Sequence, residues 1–231
     1  MQGPKFFVVA RVVGRDGGMP LWKERLVHLC GVSATELYGD SYYWGEDLNG
    51  EPDTLWGLEG YTHPIGFFID HVSSNIFKRE MALVDKDELL RHQQGLGSPD
   101  YDLHHYDQES GWLKRDDDPD RHSKSGYVAV HHFWASSEED RPSLLAALGA
   151  FAADARSDQT HKVQSCLVLR ECHDLKMATL WLRTKTDQDY QYFHQRSLAS
   201  LLEEVQPLCS KTKVHFSSSF DGHLDLKAET R

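Results

Sequence analysis

One order of predicted elements, strand, helix, strand, strand, helix, occurs twice along this chain and restricts its fold more than any other feature. In the first half, a β-branched run at residues 6–13 predicts the opening strand. Pro20 and Pro64 each suit the first turn of a helix. Between those helices lies a hairpin whose second strand is predicted at residues 54–61, and residues 102–114 are the candidate fourth strand.

The second half repeats this order and adds a final strand. Its predicted elements are a strand at 127–135, a helix from Pro142, hairpin strands at 163–172 and 177–186, a helix capped by Asp187 and running to about Leu208, and a strand at 213–220. Aligning Leu55-Trp56 with Leu180-Trp181 without gaps also aligns Phe68 with Phe193, which favours an old duplication. This order is the split unit of the ferredoxin-like fold.

The sequence therefore predicts an α+β protein of two tandem ferredoxin-like (βαββαβ) units. The first unit is predicted at residues 1–114 and the second, diverged unit at 127–231. The segment 115–126 between them is rich in Asp and Arg, which is typical of a solvated, charged linker.

Composition restricts the classes of partner. The 231 residues carry a formal net charge of −11 and no dense Lys/Arg run, which argues against nucleic acid and against an acidic membrane surface. No stretch approaches the roughly 20 apolar residues of a membrane span, and the start of the chain lacks the features of a signal peptide. We therefore expect a cytoplasmic protein with reduced cysteines. Two classes of partner remain open, a hydrophobic small-molecule substrate and another protein.

Cofactor fingerprints are absent from the sequence. There is no GxGxxG or GxxxxGKS motif for a nucleotide, and no CxxC, HxH or HExxH motif for a metal, although the chain contains 14 histidines. The sequence predicts no metal site and no cofactor.

Several residues of the first half resemble those of the antibiotic biosynthesis monooxygenase family, in the dimeric α+β barrel superfamily. These are the opening Val8-Val9-Ala10-Arg11-Val12 before a glycine turn, the stretch Leu58-Glu59-Gly60-Tyr61, and then Phe68, His71, Ser74 and Phe77. The second half matches by element order only, with Arg183 in the strand where the first half has Glu59, and Arg196 in place of His71. In this family two such units pack sheet to sheet, usually as a homodimer. The resemblance implies an intramolecular barrel here, and so a monomer or weak homodimer.

The resemblance also implies an activity, namely cofactor-independent oxygenation of an aromatic polyketide-like compound in secondary metabolism. A non-redox isomerase, cyclase or lyase acting on a similar natural product would need nearly the same cavity. A non-catalytic small-molecule binding or stress-response protein is the third alternative.

The candidate catalytic bases are Glu59, His71 and His132. A buried carboxylate with a raised pKa or a neutral imidazole can take a proton, whereas a structural ion pair of Glu59 or a structural role for His71 would also explain these residues. The expected substrate-binding residues are Tyr43, Trp44, Tyr61, Trp134 and Arg183.

Two details of these candidates are left to the structure. Neighbours on a strand face opposite sides, so His132 and Trp134 share a face that His131 does not, and sequence alone does not say which face lines a cavity. His71 is predicted at the edge of the apolar stripe of its helix. Its replacement is therefore expected to affect turnover more than stability.

Overall fold

The computed structural model describes residues 5–158, 160 and 162–228, in two compact units. Unit 1 comprises Met1–His104 and Ser217–Arg231, and unit 2 comprises His105–Phe216. None of the helices in the described part of the chain is long and apolar enough to span a membrane.

Unit 1 alternates strands and helices in the predicted order. Its elements are β1 (Phe6–Val13), α1 (Met19–Ser33), β2 (Gly39–Asp47), β3 (Thr54–Tyr61), a π-helical turn (Gly66–His71), α2 (Asn75–Lys86) and the start of β4 (Tyr101–Trp112). β3 pairs antiparallel with β1 on one side and with β2 on the other. The helix predicted from Pro64 is interrupted, because Ser74 adopts an extended conformation and its hydroxyl accepts a hydrogen bond from the Phe77 N–H, which caps α2 as a separate helix.

Unit 2 has the same kind of order. Its elements are β5 (Tyr127–Ala135), α3 (Arg141–Ser157), β6 (Val163–Glu171), β7 (Met177–Thr184), α4 (Asp187–Phe193), a π-helical turn (His194–Leu198), α5 (Ala199–Val205), a 3₁₀ turn (Gln206–Leu208) and the start of β8 (Cys209–His223). β7 pairs with β5 and with β6. The cap of α4 is Thr186, not the predicted Asp187, because the Thr186 hydroxyl accepts the Asp189 N–H.

β4, the last strand of the first half of the sequence, contributes residues to the sheet of unit 2, and β8, the last strand of the second half, contributes residues to the sheet of unit 1. Residues 106–112 of β4 pair with β6, and residues 217–223 of β8 pair with β2. For this reason the compact units differ from the segments 1–114 and 127–231 that the sequence suggests.

The charged segment 115–126 also contains buried side chains. Arg115 donates a hydrogen bond to the backbone carbonyl of Asp158, and Asp118 accepts one from the side chain of Gln164. Charge alone predicts full solvation of this segment, whereas these two side chains have partners from elsewhere in unit 2 that local composition does not indicate.

Each unit buries an apolar core between one face of its sheet and its helices. In unit 1 the core includes Val8, Trp22, Leu26, Leu29, Leu55 and Val84. In unit 2 it includes Leu144, Leu148, Leu180, Leu182, Phe193 and Leu201. The helix-facing side of β3 thus carries Leu55, Gly57, Glu59 and Tyr61.

Gly57 provides space for an indole ring. It lies opposite Trp44 in the β2–β3 ladder, and a Cβ at Gly57 would lie 2.5 Å from a ring carbon of Trp44. The absence of a side chain therefore reflects tight packing. We expect Gly57→Ala to lower the free energy of unfolding by roughly 1–3 kcal/mol through overpacking, as measured by urea denaturation.

Gly31→Ala is the matched control for this prediction. A Cβ at Gly31, inside α1, would meet nothing within 4 Å. That variant should gain roughly 0.5–1 kcal/mol, because alanine favours the helix. Equal effects of the two substitutions would show that the contact with Trp44 does not restrict position 57.

Candidate functional site

A cavity of about 220 Å³ lies in unit 1 between the helix-facing side of the sheet and the helices. Its walls include Val8, Ala10, Val12, Tyr42, Trp44 and Glu59 from the strands, and Trp22, Leu26, Leu29, Phe67, Phe77 and Met81 from the helical side. Leu96 and Leu103 also line it but are 65% and 42% exposed, so they form its outer rim. Aromatic and aliphatic side chains of this kind form a site for an apolar ligand.

Glu59 is the only carboxyl group among the described residues that line this cavity. Its side chain is buried, with the residue 7% exposed, and it accepts a hydrogen bond of 2.9 Å from the Tyr61 hydroxyl. Burial raises the pKa of Glu59 above its ordinary value, although the nearby His71 and the bond from Tyr61 oppose this rise. A carboxyl group in this environment is suited to exchange a proton with a ligand.

His71 lies behind the cavity wall, in a cage of three aromatic rings. It is 1% exposed, and its ring centroid lies 5.7 Å from that of Tyr42, 6.0 Å from Tyr61 and 5.1 Å from Phe77. Of these residues, Tyr42 and Phe77 line the cavity and His71 does not. The sequence predicts His71 at the edge of the apolar stripe of its helix, whereas in the structure it ends the π-helical turn and is buried.

Glu36 holds the His71 ring. Both of its carboxylate oxygens lie close to His71 Nδ1, at 2.9 and 3.1 Å, and a carboxylate can only accept, so Nδ1–H is the donor. His71 Nε2 is buried and has no hydrogen-bond partner among the described residues. Burial alone would lower the pKa of His71, but the bond to Glu36 and the charges of Glu59 and Glu36 raise it. Sequence reasoning missed Glu36 because it lies 35 residues before His71 and belongs to no motif.

The two tyrosines beside Glu59 remain protonated at neutral pH. Burial and the charge of Glu59 hold the pKa of both Tyr42 and Tyr61 well above the ordinary range. Their hydroxyl groups therefore act as hydrogen-bond donors next to the carboxylate, with Tyr61 donating to it.

The other aromatic candidates of β2 lie on opposite faces of the strand. Trp44 lines the cavity, whereas the Tyr43 hydroxyl accepts a hydrogen bond from Ser219 at 2.9 Å on the other face. The structure thus brings Glu59, Tyr61, Trp44 and His71 together and places Tyr43 elsewhere.

The remaining predicted site residues belong to unit 2. His132 Nδ1 lies 2.9 Å from the Thr179 hydroxyl, and Trp134 donates to Asp174. Arg183 is fully buried, and its Nε donates to the Ser165 hydroxyl. These three side chains lie on the sheet face that points away from the unit 2 helices.

Arg183 is not the structural counterpart of Glu59. The spacing that aligns Leu55 with Leu180 aligns Glu59 with Thr184, and Arg183 lies on the opposite face from the helix-facing Leu180 and Leu182. The helix-facing positions of β7 therefore carry no carboxylate, and among the described residues of this strand there is no counterpart of Glu59.

Unit 2 has its own cavity, of about 340 Å³, near His131 and Tyr190. His131 Nε2 lies 3.1 Å from the Tyr190 hydroxyl. Burial, aided by the charge of His194, lowers the pKa of His131 to about 4, so this imidazole is neutral at physiological pH. In the described residues, no group of three His, Cys, Asp or Glu side chains is arranged to hold a metal ion.

Comparison with solved structures extends over nearly the whole chain. A provisionally assigned monooxygenase from Fusobacterium nucleatum superposes with a TM-score of 0.79 at 9% identity, covering 97% of this chain and 96% of that one. Another, from Lactobacillus acidophilus, gives 0.73 at 9% identity and covers 93% of both chains. An anthrone oxidase-like protein gives 0.65 at 11% identity, covering 95% of this chain and 93% of that one.

This chain shares the fold of these structures. This confirms the predicted fold class of two tandem ferredoxin-like units on one chain. No family model and no curated protein sequence matches the chain. At these identities the likeness concerns the fold alone.

The Glu36–His71 pair should make stability depend on pH. The pKa of His71 in the folded state is raised above its ordinary value of 6.5. Its stabilising contribution is therefore fully present below pH 6.5 and is lost as the pH rises through the folded-state pKa. We expect Glu36→Gln to remove most of this loss, because Gln still accepts from Nδ1–H but carries no charge. The measurement is urea denaturation at a series of pH values, from below pH 6.5 to above the folded-state pKa of His71.

Glu203→Gln is the control, since Glu203 is exposed on α5. Its pH profile should match that of the unmodified protein. A Glu36→Gln profile as steep as that of the unmodified protein would show that Glu36 does not set the protonation of His71.

Proposed function

We propose that this protein is a cofactor-independent monooxygenase that oxidises an electron-rich aromatic compound in the unit 1 cavity. One observation carries the proposal. A single buried carboxyl group, Glu59, lies in a cavity whose other walls are aromatic and aliphatic. An apolar cavity with one proton acceptor is what deprotonation of a phenol requires.

The reaction balances with oxygen as the only co-substrate. Glu59 takes the acidic proton of the bound phenol, and the resulting anion passes one electron to O₂. The two radicals join at a ring carbon to form a peroxide anion, which takes the proton back from Glu59. The resulting hydroperoxide loses water and leaves a carbonyl group. One aromatic C–H and one O–H bond are thereby broken, one oxygen atom enters the product, and the other leaves as water. No external reductant is consumed.

The surroundings of Glu59 favour the proton-transfer step. Its raised pKa makes the carboxylate a stronger base than an exposed one. Tyr61 donates to one oxygen and fixes the orientation of the group. The buried His71, held by Glu36, opposes the rise in the pKa of Glu59, so that a larger fraction of the carboxyl group is ionised and able to accept a proton.

Apolar walls favour the oxidation step. Trp44 and Phe77 present ring surfaces to the cavity, and Tyr42 adds a hydroxyl that remains protonated. Exclusion of water protects the anion and the radical pair from side reactions. The names of the structural neighbours, provisional monooxygenases and an anthrone oxidase-like protein, agree with this class of chemistry.

Oxygen uptake tests this proposal. The purified chain is treated with chelator, and phenols and naphthols are added in an oxygen-electrode cell. Substrate-dependent uptake of one O₂ per molecule of quinone is the expected result. Product formation under strict anaerobiosis would replace the proposal with an isomerase or cyclase. Binding of these compounds without any conversion would indicate a binding protein.

A further inference from the structure

Leu96 has an unusual position at the cavity of unit 1. Its side chain belongs to the cavity wall, yet the residue is 65% exposed. It lies between Gly95, which has a φ of +95°, and Gly97. Its side chain therefore borders both the solvent and the cavity.

The stem of this loop is firmly held. The side-chain amide of Gln94 bonds the backbone of Leu90 in both directions, at 3.0 and 3.2 Å. The Gly95 N–H donates to Asp85 at 2.8 Å, and the His92 N–H donates to Asp100 at 2.6 Å. These bonds fix the two ends of the segment on either side of the tip.

The tip itself is a hydrogen-bonded turn with open space around its glycines. The Ser98 N–H donates to the Gly95 carbonyl at 3.0 Å, and a Cβ at Gly95 or at Gly97 would meet nothing within 4 Å. Leu103, 42% exposed, is the other rim residue that contacts solvent. Leu96 is therefore held at the cavity mouth by this turn and by the bonds of the stem.

The cavity volume limits what lies beneath Leu96. An engineered apolar cavity of about 150 Å³ holds one benzene molecule. Scaling by carbon number gives roughly 250 Å³ for two fused rings and roughly 350 Å³ for three. The cavity volume of 220 Å³ is larger than the volume for one ring, close to the volume for two fused rings and much smaller than the volume for three.

We propose that Leu96 closes the mouth of the unit 1 cavity over its ligand and limits that ligand to one ring or two fused rings. The aromatic character of the ligand rests on the proposed function, whereas the size limit rests on the cavity and the loop. A third ring would have to occupy the place of the Leu96 side chain.

Anaerobic binding measurements test this limit without any turnover. The probes are phenol, a naphthol and a hydroxyanthracene, and quenching of the tryptophan fluorescence that includes Trp22 and Trp44 of the cavity wall reports binding. The unmodified protein should bind phenol and naphthol and should bind the hydroxyanthracene at least about tenfold more weakly than naphthol. Leu96→Ala should tighten hydroxyanthracene binding about tenfold and weaken phenol binding severalfold, because phenol loses its apolar cover.

Two further variants complete the test. Leu96→Trp should retain phenol binding and lose naphthol. Leu48→Ala removes another exposed leucine of unit 1, outside the cavity wall, and should change nothing. Hydroxyanthracene binding to the unmodified protein as tight as naphthol binding, or equal effects of Leu96→Ala and Leu48→Ala, would overturn the proposal. The binding test contains no oxygen and needs no turnover. If the protein binds these compounds tightly and by size but shows no oxygenase activity in the oxygen-uptake experiment, the proposed function is refuted and the proposal about Leu96 stands.

Discussion

Replacing Glu59 with Gln should lower the rate of oxygenation by a factor on the order of 10²–10⁴, the usual contribution of a general base. Gln has the same size and can still accept the hydrogen bond from Tyr61, so the cavity keeps its shape. It cannot take a proton. Anaerobic binding of naphthol should therefore change little while oxygen uptake falls.

The pH dependence of activity is an independent test of Glu59 as the base. The pKa of Glu59 is raised by burial, so activity of the unmodified protein should increase with pH through a point above the ordinary carboxyl value of 4.5. This acidic limb should disappear from the residual activity of Glu59→Gln. Stability should be unchanged or slightly higher, since the variant no longer buries a carboxylate.

Glu80→Gln is the matched control for Glu59→Gln. Glu80 is also buried in unit 1 but pairs with Arg25 and Arg79 and is not part of the cavity wall. Its loss should reduce stability and leave the rate per folded molecule nearly unchanged. Full activity of Glu59→Gln would eliminate Glu59 as the base.

His71→Asn should lower the free energy of unfolding by roughly 2–4 kcal/mol, because it removes a ring from a buried aromatic cage and weakens the bond to a half-buried carboxylate. This differs from the small stability effect that the sequence predicts. An edge residue of an amphipathic helix would tolerate the change, whereas His71 is 1% exposed. Urea denaturation at neutral pH measures the loss.

Turnover of His71→Asn, measured well below its melting temperature, should also fall, because His71 no longer lowers the pKa of Glu59 and a smaller fraction of that carboxyl group is ionised. His28→Asn is the control. His28 is also near a carboxylate, that of Glu80 at 3.5 Å, but its side chain is 51% exposed. Its replacement should cost under about 1 kcal/mol. A similar small cost for His71→Asn would contradict the structural role of the cage.

Element order could be predicted because its signals are local. Alternating β-branched residues, prolines at helix starts and the hairpin turns place β3 and β5 at the bounds that the structure shows, Thr54–Tyr61 and Tyr127–Ala135. The interruption after His71 was not predicted, since the Ser74 cap competes with a helical pattern that continues on both sides.

Only some of the candidate site residues could be predicted, because the signals in the sequence are local. Glu59 and His71 belong to a pattern within one hairpin and the following helix, and the structure brings them together. Glu36 has no such pattern and reaches His71 only when the loop after α1 is folded. The strand exchange of β4 and β8 likewise depends on residues far apart in sequence.

The sequence by itself determined which side chains share a face, because the two-residue period of a strand is a property of the local backbone. It separated Tyr43 from Trp44 and His131 from His132 in this way. Only the tertiary structure decided which of those faces lies beneath the helices, and therefore that Glu59 and Trp44 line a cavity while Tyr43 does not. Local periodicity is identical for both faces, and the choice between them is made by the long-range packing of helices on the sheet.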